Sequence, residues 1–125
     1  MKICLVGCGK MGSSLLEGWS LLSIIREILI IEPNPENIPK ELIRIKKFHF
    51  FNDFTKIENS NVFDIIVLAV KPQVMKDVVI QLSKLNIKSN AWLSIAAGLP
   101  VNFFENYLGH NQAIIRTIPN TPSSV

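Results

Sequence analysis

The sequence contains little of what marks secreted, metal-binding or membrane proteins. It has two cysteines, Cys4 and Cys8, and its longest unbroken apolar run is Ile65–Val70. Two thiols without a suitably spaced His pair do not make a zinc site, and such a run is far too short to cross a bilayer. The apolar run after Met1 is also too short for the core of a secretory signal. We therefore expect a cytoplasmic protein with reduced thiols, no metal site and no membrane partner.

The sequence also has little net charge. The 125 residues carry 13 Lys and Arg against 10 Asp and Glu, which gives a formal charge of +3. The one dense basic patch has no interleaved aromatic residues, which a single-strand nucleic-acid binder would need; it consists of Lys40, Arg44, Lys46 and Lys47. We expect a solvated helix face there and no nucleic-acid partner. The length and the 48% apolar content are typical of one globular domain, not two.

Short apolar runs alternate with segments of helical spacing along the whole chain. The pattern predicts strands at 2–6, 28–31, 47–51, 64–70, 91–95 and 113–118, and helices at 14–22, 39–45, 72–85 and 100–108. The continuous apolar run in 64–70 is typical of a central parallel strand that is buried on both faces. Alternating strands and helices predict a single α/β domain over 1–125, with a doubly wound, mainly parallel sheet and helices on both faces.

A glycine-rich turn follows the first predicted strand directly. Gly7 permits a tight turn, Gly9 lets the backbone approach a pyrophosphate, and Gly12 lets helix and strand pack closely. The unpaired N–H groups of the following helix then face the phosphates. A P-loop is excluded because Met11, and not Ser or Thr, follows Lys10. The turn predicts a Rossmann-type site for a nicotinamide dinucleotide, bound by Gly7, Cys8, Gly9, Lys10, Met11 and Gly12.

An acidic residue, Glu32, ends the second predicted strand about twenty residues beyond the glycines. A carboxylate at this position can accept hydrogen bonds from the adenosine ribose hydroxyls. It would repel a 2′-phosphate about 4 Å away by ~4 kcal/mol per unit charge at an effective dielectric constant near twenty. Glu32 therefore favours NAD(H), unless its carboxylate turns away and Asn34 or a nearby cation takes the phosphate.

Three later segments narrow the family. They are Leu68-Ala69-Val70-Lys71-Pro72-Gln73, Ser94-Ile95-Ala96-Ala97-Gly98 and Arg116-Thr117-Ile118-Pro119-Asn120-Thr121-Pro122. With the glycine turn, they closely resemble the amino-terminal domain of pyrroline-5-carboxylate reductase over essentially the whole chain. The resemblance implies NAD(P)H-dependent reduction of the cyclic imine 1-pyrroline-5-carboxylate to proline, with hydride passing from nicotinamide C4 to the imine carbon.

The resemblance also implies roles for individual residues. The nicotinamide side of the cofactor would be bordered by Ala69, Val70, Lys71 and Pro72, with close backbone approach at Ala96, Ala97 and Gly98. The substrate region would be formed by Lys71, Asn120 and Thr121, and the adenosine would contact Asn52. Arg116 is expected to brace the neighbouring loops, and no residue of the chain is assigned a catalytic role.

The sequence departs from that family at two points. Glu32 lies where members carry small or hydroxyl residues suited to NADP, so the family favours NADP(H) while Glu32 favours NAD(H). The sequence ends at Val125, whereas members continue into a helical carboxy-terminal domain that forms the dimer and completes the substrate pocket. We expect this chain alone to bind dinucleotide, to reduce imine poorly or not at all, and to form a homo-oligomer only if that domain is supplied. Two alternatives stay open: a non-catalytic dinucleotide-binding module or remnant, and a domain of a related imine, β-hydroxyacid or deazaflavin-dependent reductase.

Overall fold

Six strands form the centre of the fold in the computed structural model, which describes residues 1–57, 62–85, 87–96 and 98–117. The strands are β1 (Lys2–Val6), β2 (Glu27–Ile31), β3 (Phe48–Phe51), β4 (Val62–Leu68), β5 (Lys88–Ser94) and β6 (Ile114–Arg116). Their order is β3-β2-β1-β4-β5-β6, and each neighbouring pair is parallel. The order reverses between β1 and β4, where open α/β sheets bind ligands. The predicted doubly wound sheet is confirmed.

Four α-helices connect the described strands. They are α1 (Lys10–Ser20), α2 (Lys40–Ile43), α3 (Pro72–Ser83) and α4 (Val101–Leu108), and short 3-10 turns lie at Pro35–Asn37 and Phe54–Lys56. The start predicted for α1 at residue 14 was wrong. Gly9 is the N-cap, and the Ser13 amide already donates to the Gly9 carbonyl at 2.8 Å. The glycine turn therefore leads into the helix without a spacer.

Two strand boundaries also differ from the prediction. The predicted strand 64–70 begins earlier, at Val62, and ends at Leu68, so that Val70 lies in the connection to α3. The predicted strand 91–95 begins at Lys88, because its polar first half pairs with β4 in the register Val62↔Lys88. That pairing is long-range and leaves no local hydropathy signal. The end of the predicted strand 113–118 and the irregular segment after it fall on residues 118–125, outside the described residues.

Alternate residues of the strands pack into two separate cores, one on each face of the sheet. On β1, Cys4 and Val6 point to one face, and Ile3 and Leu5 to the other. The first core includes Met75, Val79 and Leu82 of α3 and Phe104 of α4; the second includes Leu16 of α1 and Leu42 of α2. Helices thus cover both faces, as the continuous apolar strands predicted. No described helix has the length and apolarity that a membrane crossing requires.

The basic patch is only partly a solvated face. Lys40, Arg44 and Lys46 are exposed, but the Nζ of Lys47 donates to the carbonyls of Trp19, Leu22 and Ile25 at 2.8, 2.9 and 3.2 Å. Carbonyls at a helix C-terminus lack intrahelical donors, and a cation there is favourable. Lys47 therefore closes the α1–β2 connection, and the prediction of a wholly solvated patch was wrong for this residue.

Candidate functional site

The three glycines of the turn are required for different reasons. Gly7 has φ +96°, and a Cβ added to it would lie 2.9 Å from the Ala69 carbonyl oxygen. A Cβ on Gly12 would lie 2.5 Å from the Gly7 carbonyl oxygen. Both contacts are with backbone atoms, which cannot swing aside. A Cβ on Gly9, by contrast, would meet nothing within 4 Å, so the space beside Gly9 is open to a ligand.

The N-terminus of α1 provides donors beside that open space. Gly9 caps the helix without a side-chain hydrogen bond, and the first turn contains no acidic residue. The first N–H groups of a helix have no intrahelical partner, and the helix dipole places partial positive charge on them. The arrangement fits a phosphate, as the pattern of glycines predicted.

Glu32 directly follows β2, as predicted, and its carboxylate accepts hydrogen bonds from two backbone amides. The residue is 5% exposed; Oε1 accepts from the Cys8 amide at 2.7 Å and Oε2 from the Asn34 amide at 2.9 Å. Glu32 therefore ties the middle of the glycine turn to the segment after β2. An ionised carboxylate has about four acceptor positions, so capacity for ribose hydroxyls is left.

The surroundings of the two thiols disfavour the thiolate form. Burial raises the pKa of Cys4 to about 12, with the nearby Lys2 charge opposing the shift. Burial also raises the pKa of Cys8; a hydrogen bond with Ser13 (Sγ to Oγ 3.6 Å) opposes this, and the Glu32 carboxylate adds to it. Both cysteines are free. In the described part of the chain, no group of three His, Cys, Asp or Glu side chains is arranged to hold a metal ion.

Two cavities open on either side of the glycine turn. The first cavity, about 370 Å³, is lined by Val6, Gly7, Ile31, Pro33, Asn52, Asp53, Phe54, Val70, Val74, Asp77, Val78 and Gln81. The second cavity, about 530 Å³, is lined by Gly9, Lys10, Met11, Ala69, Val70, Lys71, Pro72, Ile95 and Ala96. Val70 lines both, so the cavities adjoin across the ends of β1 and β4.

The structure brings most of the predicted site residues together. Eight of them line the second cavity: Gly9, Lys10, Met11, Ala69, Val70, Lys71, Pro72 and Ala96. Gly7 and Asn52 line the first, while the predicted residues outside both linings are Cys8, Gly12, Glu32, Asn34 and Gly98. The Nη1 of Arg116 donates to the Leu99 carbonyl at 3.0 Å, which braces the loop after β5. Ala97, Asn120 and Thr121 are outside the described residues, and their roles stay predictions.

Sequence reasoning missed the α3 wall of the first cavity. Val74, Asp77, Val78 and Gln81 face that cavity at positions i, i+3, i+4 and i+7 of the helix. The apolar spacing in this segment predicts a helix, but it does not mark that helix as the wall of a cavity. The two polar members, Asp77 and Gln81, were not considered as ligand contacts.

The cavities differ in charge. The ionisable residues that line the first are Asp53 and Asp77, both acidic. Those that line the second are Lys10 and Lys71, both basic. The second cavity therefore offers positive charge, and the first cavity, which is lined by the neighbours of Glu32 in the chain, offers negative charge.

Comparison with known proteins decides the family. Residues 2–98 match the family model described as NADP oxidoreductase, coenzyme F420-dependent, which is more than three quarters of the chain. The chain belongs to this oxidoreductase family. The match ends at Gly98, before α4 and β6.

Individual relatives resemble nearly the whole chain. Pyrroline-5-carboxylate reductase of Pisum sativum is 32% identical over 96% of this chain and 43% of its own length. The Escherichia coli (strain K12) enzyme is 32% identical over 99% of this chain and 46% of its own. The crystal structure of Plasmodium falciparum pyrroline carboxylate reductase with NADP bound is 26% identical, with a TM-score of 0.69 over 98% of this chain and 43% of that one.

The predicted resemblance to the amino-terminal domain of pyrroline-5-carboxylate reductase is confirmed by these matches. The chain spans less than half the length of the relatives it matches. Prephenate dehydrogenase from A. aeolicus superposes with a TM-score of 0.71 at 18% identity, and this likeness concerns the fold alone.

Proposed function

We propose that this chain is the cofactor-binding domain of a pyrroline-5-carboxylate reductase, which reduces 1-pyrroline-5-carboxylate to proline with NAD(P)H. The observation that carries the proposal is the open space at Gly9 beside the N-terminus of α1, with one cavity on each side. A pyrophosphate at Gly9 would direct the adenosine into the first cavity and the nicotinamide into the second. Dinucleotides cross such a switch point in this manner.

The residues of the chain would hold and orient the reactants. When bound, the dinucleotide supplies the hydride for the imine carbon. Lys10 and Lys71 line the second cavity, and their side chains have no hydrogen-bond or ion-pair partner among the described residues. Their positive charge would favour both the pyrophosphate and the carboxylate of the substrate. A helical carboxy-terminal domain would complete the substrate pocket and form a homo-oligomer. Two free thiols are typical of a cytoplasmic protein, which is the location we propose.

We further propose that NADH binds more tightly than NADPH. The ribose would lie close to Glu32, and the first cavity is lined by acidic but not by basic side chains. A 2′-phosphate would therefore meet negative charge without a cation from that lining to neutralise it. The matched family is described as an NADP oxidoreductase. A preference for NADH would therefore depart from that description, and we attribute the departure to the carboxylate of Glu32.

A second candidate is a dinucleotide-binding module without turnover. It is favoured by the chemistry of the second cavity, in which the two lysines are the ionisable lining residues. The described residues that line this cavity can contact the cofactor, but none of them has a carboxylate, imidazole or thiol that would relay a proton to a substrate.

Thermal unfolding and turnover measurements test the proposal together. NADH at a hundredfold excess over its Kd should stabilise the fold by about 2.7 kcal/mol by mass action, and the increase in Tm should be larger than with NADPH. Addition of 1-pyrroline-5-carboxylate to a version that also carries a helical carboxy-terminal domain should then consume NADH and form proline, whereas this chain alone should form little or none. An unchanged Tm with either cofactor at millimolar concentration would contradict the binding claim. Binding without any proline formation by the version with the added domain would support the module instead.

A further inference from the structure

One face of α3 presents two polar side chains, Asp77 and Gln81, to the first cavity. Val74, Asp77, Val78 and Gln81 lie on one helical stripe that lines the first cavity. The opposite wall, at the ends of β1 and β2, includes Val6 and Ile31, which are buried and apolar. A flat aromatic base would fit between these walls, with its polar edge toward the exposed side of α3.

Asp77 and Gln81 have no assigned partner. Neither side chain makes a hydrogen bond or an ion pair with any of the described residues. Asp53, on the other side of the cavity, differs, because its Oδ1 accepts from the Thr55 amide at 2.9 Å and the Thr55 hydroxyl at 2.6 Å. Asp77 is therefore an acceptor at the cavity rim whose donor is not provided by the described chain.

We propose that Asp77 selects adenine as the base of the bound dinucleotide. Its carboxylate can only accept, and the hydrogens of the exocyclic amino group are the donors on the edge of adenine. Gln81 follows one helical turn later and, with an amide that both donates and accepts, would donate to a neighbouring ring nitrogen. This inference rests on the proposed function, since it assumes that the adenosine half occupies the first cavity.

The inference predicts discrimination against hypoxanthine. In nicotinamide hypoxanthine dinucleotide, a carbonyl oxygen replaces the amino group, so two acceptors would face each other at Asp77. A site built to accept a hydrogen bond rejects an analogue that lacks the donor. Because Asp77 is exposed, we expect a moderate effect: the reduced hypoxanthine analogue should bind roughly tenfold more weakly than NADH.

The experiment is a double-mutant cycle between residue and base. Affinities of the full chain for NADH and for the reduced hypoxanthine dinucleotide are measured by calorimetry for the wild type and for Asp77→Ala. The variant should bind the two within about twofold of each other, mainly through weaker NADH binding. Alanine is favourable within a helix, and Tm verifies the fold. Glu41→Ala, which removes an exposed acid of α2 outside the first cavity, should keep the preference.

A second variant and three outcomes make the proposal falsifiable. Asp77→Asn keeps the shape but offers a donor as well as an acceptor, so it should also lose the preference. The role of Asp77 would be overturned, and the proposed function left standing, if the wild type bound the two dinucleotides equally. The same holds if it bound the hypoxanthine dinucleotide more tightly, through the N1–H of that base. Equal weakening of both ligands by Asp77→Ala would overturn that role as well. Failure of NADH itself to bind would instead overturn the proposed function.

Discussion

The Gly12→Ala variant is expected to lose several kcal/mol of folding stability and, with it, dinucleotide binding. The added Cβ would lie 2.5 Å from the carbonyl oxygen of Gly7 and 3.3 Å from its carbonyl carbon. Overpacking commonly costs about 1–3 kcal/mol and occasionally more, and here the opposing atoms belong to the backbone. The clash can be relieved only by moving α1 away from β1, which displaces the phosphate-binding N–H groups. Urea unfolding measures the loss of stability, and NADH titration measures the loss of binding.

Two other glycines provide matched controls for this variant. Gly18 lies in the same helix, and a Cβ there would meet nothing within 4 Å. Gly18→Ala should increase stability by roughly 0.5–1 kcal/mol and leave binding unchanged. Gly9→Ala should also fold, because its φ of −75° suits alanine, yet its methyl would occupy the space for a phosphate and weaken NADH binding. A Gly12→Ala protein as stable as the wild type would show that the α1–β1 contact tolerates a methyl group.

The glycine turn shows how far local sequence reasoning reaches. Strand β1 was predicted with its observed bounds, Lys2–Val6, because an apolar run and its terminating glycine lie next to each other in sequence. The contact between Gly12 and Gly7 also spans a short stretch of chain, so spacing alone predicted close packing there. Fold class and the neighbourhood of the turn follow from such short-range patterns and from the rules for parallel sheets.

Contacts between distant segments could not be predicted in this way. Glu32 meets the Cys8 amide from 24 residues away, and Lys47 meets the Trp19 carbonyl from 28 residues away. Both side chains are charged, and an isolated sequence pattern favours solvent for them. The structure shows instead that each satisfies backbone groups that strand or helix ends leave open. Asp77 belongs to the same class, since only the assembled cavity distinguishes it from an ordinary surface acid.

Glu32→Ser is expected to lower stability and to change cofactor preference at the same time. Removal of the carboxylate leaves the Cys8 and Asn34 amides without their acceptor. An unsatisfied buried donor costs about 1–3 kcal/mol, and the Cys8 amide is the buried one of the two. We therefore expect an unfolding free energy about 2 kcal/mol lower than that of the wild type, measured in urea.

The binding data for Glu32→Ser should separate two effects of the same carboxylate. Loss of negative charge beside the ribose raises the affinity for NADPH relative to NADH, while loss of the anchor at Cys8 weakens both cofactors in absolute terms. Glu36→Ser is the matched control, because Glu36 is an exposed acid in the following turn and its removal changes the net charge equally. If Glu32→Ser shifted the preference without lowering stability, the hydrogen bonds to Cys8 and Asn34 would contribute nothing to the folded turn. If it lowered stability without shifting the preference, Glu32 would act as an anchor alone, and the proposed preference for NADH would need another source.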